Sequence, residues 1–242
     1  MEKSVEFHDV KKYFPLYHQI TAGFKTFLIN MPKAVSQFKN NKFWALNGVT
    51  FEVNKGEVFG IMGPNGAGKS TILSMIAGVI RQSSGNVAVH GRVAPLLELG
   101  AGFHPDLSGE ENVILNGILL GMTKKEIMAK YEEILAFADL GEFIEQPIRT
   151  YSSGMKARLG FAVAVHTDPE ILLVDEILAV GDEAFQQKCF AKMEDFKKRG
   201  ITIILVSHDR ATMESFCDRI VVINDGVVVK EYSGKKPKQE RI

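Results

Sequence analysis

Gly63-Pro64-Asn65-Gly66-Ala67-Gly68-Lys69-Ser70-Thr71 fits the pattern G-x-x-x-x-G-K-[ST] without a mismatch. An apolar run, Val58-Phe59-Gly60-Ile61-Met62, precedes it, and an amphipathic helical pattern from Ile72 to Gly78 follows. Strand, loop and helix form the setting in which this pattern is a phosphate-binding loop rather than a tight glycine turn. Gly63, Asn65, Gly66 and Gly68 supply the curl whose backbone N–H groups face phosphate oxygens. Lys69 adds a point charge near the β- and γ-phosphates, and Ser70 offers a hydroxyl to Mg²⁺. The helix N-terminus, with Thr71 in its first turn, adds partial positive charge.

The rest of the composition narrows what this loop serves. A chain of 242 residues with 45 % apolar content suits one core with a sub-domain. Lys+Arg and Asp+Glu both number 29, so no global field draws it to nucleic acid. Cys189 and Cys217 lack metal-ligand or redox spacing, as in a reduced cytosolic chain. No run approaches the roughly 18–20 apolar residues that cross a bilayer, and Met1-Glu2-Lys3-Ser4 lacks an apolar export core. Membrane association is therefore expected through a partner or a surface contact.

One local asymmetry stands out. No acidic residue lies between Asp9 and Glu52, whereas Lys11, Lys12, Lys25, Lys33, Lys39 and Lys42 are present. Phe14, Tyr17, Phe24, Phe27, Phe38, Phe43 and Trp44 interleave with them. Two readings are open: a solvated loop without acids, or a surface facing a membrane or an acidic partner.

Period-two alternation predicts strands over 4–10 and 49–54, with a short helix between them from Ile20 to Met31, ended by Pro32. Asn86 to Arg92 reads as a strand. From 96 to about 166 the pattern turns helical: Ser108-Gly109-Glu110-Glu111 and Thr123-Lys124-Lys125-Glu126 are capping boxes, and Ser152-Ser153 caps a third helix. Ile171–Val174 and Ile201–Val206 are continuous apolar runs, as in strands buried on both faces of a parallel sheet. A polar helix from about Ala184 to Arg199 joins them, and Ile220–Val229 reads as a hairpin around Asn224-Asp225-Gly226.

Three further elements carry chemistry. Asp175 closes the run Ile171-Leu172-Leu173-Val174 at a carboxyl end, where parallel sheets place ligands; it can hold Mg²⁺ through water. Glu176 beside it is suited to orient or deprotonate an attacking water. His208 ends the next buried strand and is expected to emerge beside Asp175, within reach of a γ-phosphate. Tyr151-Ser152-Ser153-Gly154-Met155 joins hydroxyls, a close-approaching glycine and a helix N-terminus in a second anion-binding surface. One chain has its own phosphate loop, so a second surface makes sense if it serves the nucleotide of another copy.

In this order, the loop at 63–71, the 151–155 segment, the strand end at 171–176, Ala179-Val180-Gly181-Asp182 and His208, the sequence resembles the nucleotide-binding subunit of ABC transporters. The resemblance covers residues 4–230. It implies an α/β fold: a P-loop NTPase (RecA-like) core with a mostly parallel sheet and an antiparallel β subdomain, over 1–95 and 167–234. A helical subdomain is inserted over 96–166, and a charged tail spans 235–242. It also implies ATP and Mg²⁺, and a head-to-tail homodimer holding each ATP between Lys69 of one chain and Ser152–Gly154 of the other. The resemblance also counts Asp182, the end of the D-loop-like segment 179–182, among the nucleotide-binding residues. Tyr13 falls where the family stacks an aromatic on adenine, with Phe14, Tyr17 and Trp44 as rivals.

Two departures point to one branch. Where the family has a glutamine, the segment Pro95-Leu96-Leu97-Glu98-Leu99-Gly100 places Glu98, whose carboxylate can bind Mg²⁺. The signature is Tyr-Ser-Ser-Gly-Met rather than Leu-Ser-Gly-Gly-Gln. With the aromatic insertion before Trp44, these are similar to the ATPase subunits of bacterial polysaccharide exporters. That branch implies a membrane permease partner, a lipid-linked glycan such as O-antigen or teichoic acid, and a place on the cytoplasmic side of the inner membrane. Some members carry a glycan-binding domain after the ATPase, and none is read in this sequence. A drug or lipid exporter is the rival within transporters. Non-transport ATPases of the family call for heptads or a second phosphate loop, and a plain P-loop kinase leaves 151–155 and His208 without a task.

Overall fold

The computed structural model describes residues 2–15, 42–96, 100, 102–175 and 182–234. β1 (Lys3–Pro15) and β2 (Lys42–Asn54) pair antiparallel from Lys3↔Asn54 out to Pro15↔Lys42. The alternation of 4–10 and 49–54 marks only the inner parts of these strands. Asp9 adopts a left-handed φ of 46°, and the register shifts between Phe7 and Val10 and again before Lys11 and Tyr13. Each bulge turns the following side chains to the other face, so the outer parts lose the period of two. The helix expected from Ile20 to Met31 lies outside the described residues.

β3 (Val58–Met62) leads through the glycine loop into α1 (Lys69–Ile76). β4 (Ser84–Val89) then returns to complete a three-stranded antiparallel sheet in the order β2-β1-β4. The expected strand 86–92 thus begins two residues earlier and stops at Val89. A separate strand, β5 (Val93–Leu96), follows and pairs parallel with β6 (Ile171–Asp175). β5 escapes sequence reading because Pro95 withholds an N–H, which an edge strand tolerates and a central one does not. Leu96 therefore belongs to a strand at the point where helical character was expected to begin.

Between β5 and β6 come α2 (Gly109–Leu119), α3 (Lys124–Ala138) and α4 (Ser153–Val165). Both expected capping boxes form: Ser108 and Thr123 each accept from the N–H of the glutamate three residues on, and each glutamate accepts in return. After β6 come α5 (Glu183–Lys198), β7 (Thr202–Val206), α6 (Arg210–Phe216), β8 (Arg219–Asn224) and β9 (Val227–Ser233). Asp225 and Gly226, at φ 47° and 74°, turn β8 into β9, the geometry of a two-residue hairpin loop. The main sheet runs β5-β6-β7-β3-β8-β9, parallel except for β9.

Three apolar clusters hold these layers. Ile171, Leu173, Ile204 and Val206 face one side of the main sheet with Phe7, Phe51 and Phe59. The Phe51 ring stacks on Phe7 at 4.6 Å and on Phe59 at 5.2 Å, joining the antiparallel sheet to β3. Leu172, Val174, Ile203 and Leu205 face the opposite side, against Phe161, Phe185, Met193 and Phe196 of α4 and α5. Fully burying each such side chain contributes roughly 1.5–3 kcal/mol. A third cluster joins Val113, Ile127, Ile134, Leu159 and Val163 of the inserted helices. Every residue of α4 from Leu159 to Val165 is buried, because one side of the helix serves the second cluster and the other side the third.

Candidate nucleotide site

The glycine loop is set by its neighbours. Gly63 has φ 154°, and a Cβ there would lie 2.2 Å from the Ile223 carbonyl oxygen of β8. Gly68, at φ 105°, would meet the Ala45 carbonyl oxygen and Leu46 Cδ2 at 2.6 Å. Any larger residue would push β8 or β2 away, so glycine is required at both points by close approach as well as by φ. Gly66, at φ 81°, has nothing within 4 Å of its Cβ position and leaves the front of the loop open. The β8–β9 turn braces the back: Gly226 N–H donates to Ala67, and Asn47 N–H to Gly226.

Lys69 is buried, and its Nζ donates to the carbonyls of Gly63 at 2.8 Å and Pro64 at 3.0 Å. The ammonium is thereby held across the mouth of the curl. Asn65 and Gly66 are exposed at its tip, as is Ser70 in the first turn of α1. Gly68 gives α1 no side-chain cap, and the first turn holds no acid. Its free N–H groups and dipole remain available to an anion. Thr71 sits half-buried behind Ser70. These donors fit a polyphosphate and, at Ser70, a hard cation.

Sheet register aligns the remaining groups. Ile61 pairs with Val206, and Val206 with Asp175, so β7 and β6 end on one rung, a residue short of the end of β3 at Met62. Asp175 therefore stands at the edge from which the glycine loop departs. Ser207 and His208 follow Val206 on the same edge. The Ser207 hydroxyl accepts from Asp209 N–H at 3.0 Å, and Asp209 caps α6 by accepting from Ala211 and Thr212 N–H. The Thr212 hydroxyl bond and those N–H groups hold the Asp209 carboxyl below the ordinary value. His208 is exposed between these two anchors.

Tyr13 pairs with Trp44 across β1 and β2, their rings edge to face at 5.4 Å. Ala45, the residue after Trp44, is the one that crowds Gly68, so this aromatic pair lies beside the glycine loop. Lys42 Nζ sits 4.0 Å over the Tyr13 ring. Phe14 pairs with Phe43 at the next position.

The 151–155 segment begins α4. Tyr151 is buried, its hydroxyl donates to Phe143 O at 2.6 Å, and burial pushes the phenol up to about 12. Ser152 caps the helix by accepting from Met155 N–H at 3.2 Å. Ser152 and Ser153 are exposed, and a Cβ on Gly154 would meet only Ser152 Oγ, at 3.8 Å. The surface is open and carries no acid in the first helical turn. Asp182 caps α5 through Phe185 N–H at 2.8 Å and lies 3.8 Å from Arg158 of α4. Arg158, missed by motif reading, also donates to Ala138 and Asp139 at the end of α3, coupling three helices. Its only sequence signal is its place in the helix after the serines. Glu98, Glu176, residues 179–181 and Tyr17 lie outside the described residues. The two thiols are buried among apolar groups, each pushed up to about 12, and take no part.

Residues 46–179 match the family model described as ABC transporter. The chain is similar to the O-antigen export system ATP-binding protein RfbB of Klebsiella pneumoniae, 49 % identical over 93 % of this chain and 92 % of that protein. It is also similar to the teichoic acids export ATP-binding protein TagH of Lactiplantibacillus plantarum, 45 % identical over 92 % of this chain and 60 % of that one. A solved dimeric ATP-binding cassette in a post-hydrolysis state, bound to ADP and Pi, has a TM-score of 0.75 at 23 % identity. The match covers 96 % of this chain and 100 % of that one, a likeness of fold. Among the described residues no helix is long and apolar enough to cross a membrane.

Proposed function

This chain belongs to the ABC transporter family, and from that premise we propose that it is the ATPase motor of an exporter for a lipid-linked polysaccharide of the O-antigen or teichoic-acid type. The observation that carries the substrate class is 49 % identity to an O-antigen export protein across nearly the full length of both chains. Its ATPase activity follows from the family.

The working unit is a head-to-tail dimer. ATP lies between Gly63–Thr71 of one copy and Ser152, Ser153 and Gly154 of the other, with Asp182 near the junction. The open α4 N-terminus supports this arrangement. Tyr13, paired with Trp44, packs on the adenine. Glu176 takes the proton of the attacking water, His208 steadies the γ-phosphate, and Lys69 stabilises charge that spreads over its oxygens. Ser70, and Asp175 through water, would hold Mg²⁺, with Glu98 in the glutamine's place, and the ion would neutralise phosphate charge. Loss of the γ-phosphate frees the two copies to part. That motion passes to membrane permease subunits on the cytoplasmic side of the inner membrane, through the segment 98–105 and the helical insertion.

The lysines and aromatics of the insertion at about 15–43 face the permease's cytosolic side or anionic headgroups, near where the lipid-linked glycan loads. Because Pro15 pairs directly with Lys42, Asn-Gly can replace 16–41 and still close the hairpin. That variant is expected to hydrolyse ATP normally in solution and to lose export; unaffected export would defeat this role. The decisive experiment is purification with the permease and identification of the co-purifying lipid-linked sugar by mass spectrometry. A drug or a simple lipid in its place, with ATPase stimulated by that compound, would overturn the polysaccharide reading.

A further inference from the structure

The outward face of the three-stranded sheet gathers side chains that the nucleotide site does not use. Glu6 and His8 are two apart on β1 and so share a face. Glu52 on β2 stands directly opposite Glu6. His90 follows β4, whose Ala88 is Glu6's partner on the other side. One ligand atom each from Glu6, His8 and Glu52 falls within 4.8 Å of the others. His8 Nε2 is 3.5 Å from one Glu6 oxygen, and His90 Nε2 is 3.3 Å from the other. Two carboxylates directly opposite on neighbouring strands repel and weaken the pairing. Lys3 answers for one of them, at 2.6 Å from Glu52 Oε2, and its bond and charge hold that carboxyl below the ordinary value. Glu6 is left between two imidazoles.

We propose that Glu6, His8 and Glu52 bind a divalent transition-metal ion of the zinc type, with His90 as a positioning residue that fixes Glu6 through its second oxygen. Ligand atoms around a tetrahedral ion with bonds of about 2.0–2.1 Å stand roughly 3.4 Å apart. The Glu6–His8 separation of 3.5 Å is already close to that. Both glutamates and His8 are at least partly exposed, so side-chain rotation suffices to bring in Glu52. An imidazole with two carboxylates suits zinc or manganese and sets the site apart from the all-oxygen sites of calcium and magnesium. The fourth position is open to water. The ion ties β1 to β2 and, through His90 on Glu6, to the end of β4. It therefore stiffens the sheet that carries Tyr13 and Trp44.

The test titrates Zn²⁺ into nucleotide-free, magnesium-free protein against a chromophoric chelator and follows amide exchange with and without the metal. One equivalent is expected to bind. His8→Ala and Glu52→Gln each weaken it by about tenfold or more, and His90→Ala weakens it less, with recovery in His90→Gln. In the unaltered protein Zn²⁺ slows exchange in residues 3–10 and 49–54 but not in α2 to α4. Binding unchanged in both His8→Ala and Glu52→Gln overturns the assignment, as does exchange in those strands that ignores the metal.

Discussion

Two helix N-termini in this molecule look alike in charge and differ in how they are closed. α1 and α4 are the described α-helices with neither an acidic cap nor an acid in the first turn. The others carry Glu110 and Glu111, Glu126, Asp182 and Glu183, or a capping Asp209. An acid there satisfies the helix dipole from within, and leaving it out keeps that field for an outside anion. α1 is capped by a left-handed glycine, wrapped by its own loop and barred by a buried lysine. α4 is capped by its own serine and opens onto solvent. The first is a cradle complete within one chain. The second is half of a surface, and the difference argues that its other half comes from another molecule.

The most severe way to break this comparison is at the cradle. Lys69→Met is expected to lower ATP turnover about 10²–10³-fold, read by steady-state phosphate release. Glu176→Gln should lose turnover to a similar degree yet hold ATP in a dimer stable to size-exclusion chromatography. Near-normal hydrolysis by that variant would remove Glu176 from its role. In the same background, Ser153→Glu sharpens the contrast. The new acid favours the α4 N-terminus by about 0.3–1 kcal/mol, yet it should abolish the ATP-dependent dimer and cut turnover about tenfold in the otherwise unaltered chain. A dimer that still forms would mean α4 does not face phosphate. The smallest effect separates cap from site. Ser152→Ala and Ser108→Ala each cost about 1 kcal/mol in urea unfolding, and only the first is expected to slow hydrolysis.

How much was legible follows from what each element depends on. The glycine loop, the two capping boxes and the hairpin at Asp225-Gly226 obey local rules, and all appear where the sequence reading puts them. β6 and β7 were legible because burial on both faces demands unbroken apolar runs. The outer parts of β1 and β2 were not, since the bulges after Phe7 erase the alternation that marks a strand. β5 was hidden by Pro95, whose tolerance depends on lying at a sheet edge, a fact of topology. Arg158 shows the same limit within the site: its partners Ala138, Asp139 and Asp182 are far from it along the chain, and no local pattern announces them.

The pairing of Pro15 with Lys42 has one more consequence. Pro15 and Lys42 stand side by side on neighbouring strands, so whatever is spelled between them must start and finish at one place on the sheet. Closing a longer excursion costs little extra, since the entropy of closure grows only with the logarithm of length. A change in length between Pro15 and Lys42 is therefore expected to cost the paired strand ends little, and urea unfolding of variants with insertions there checks it.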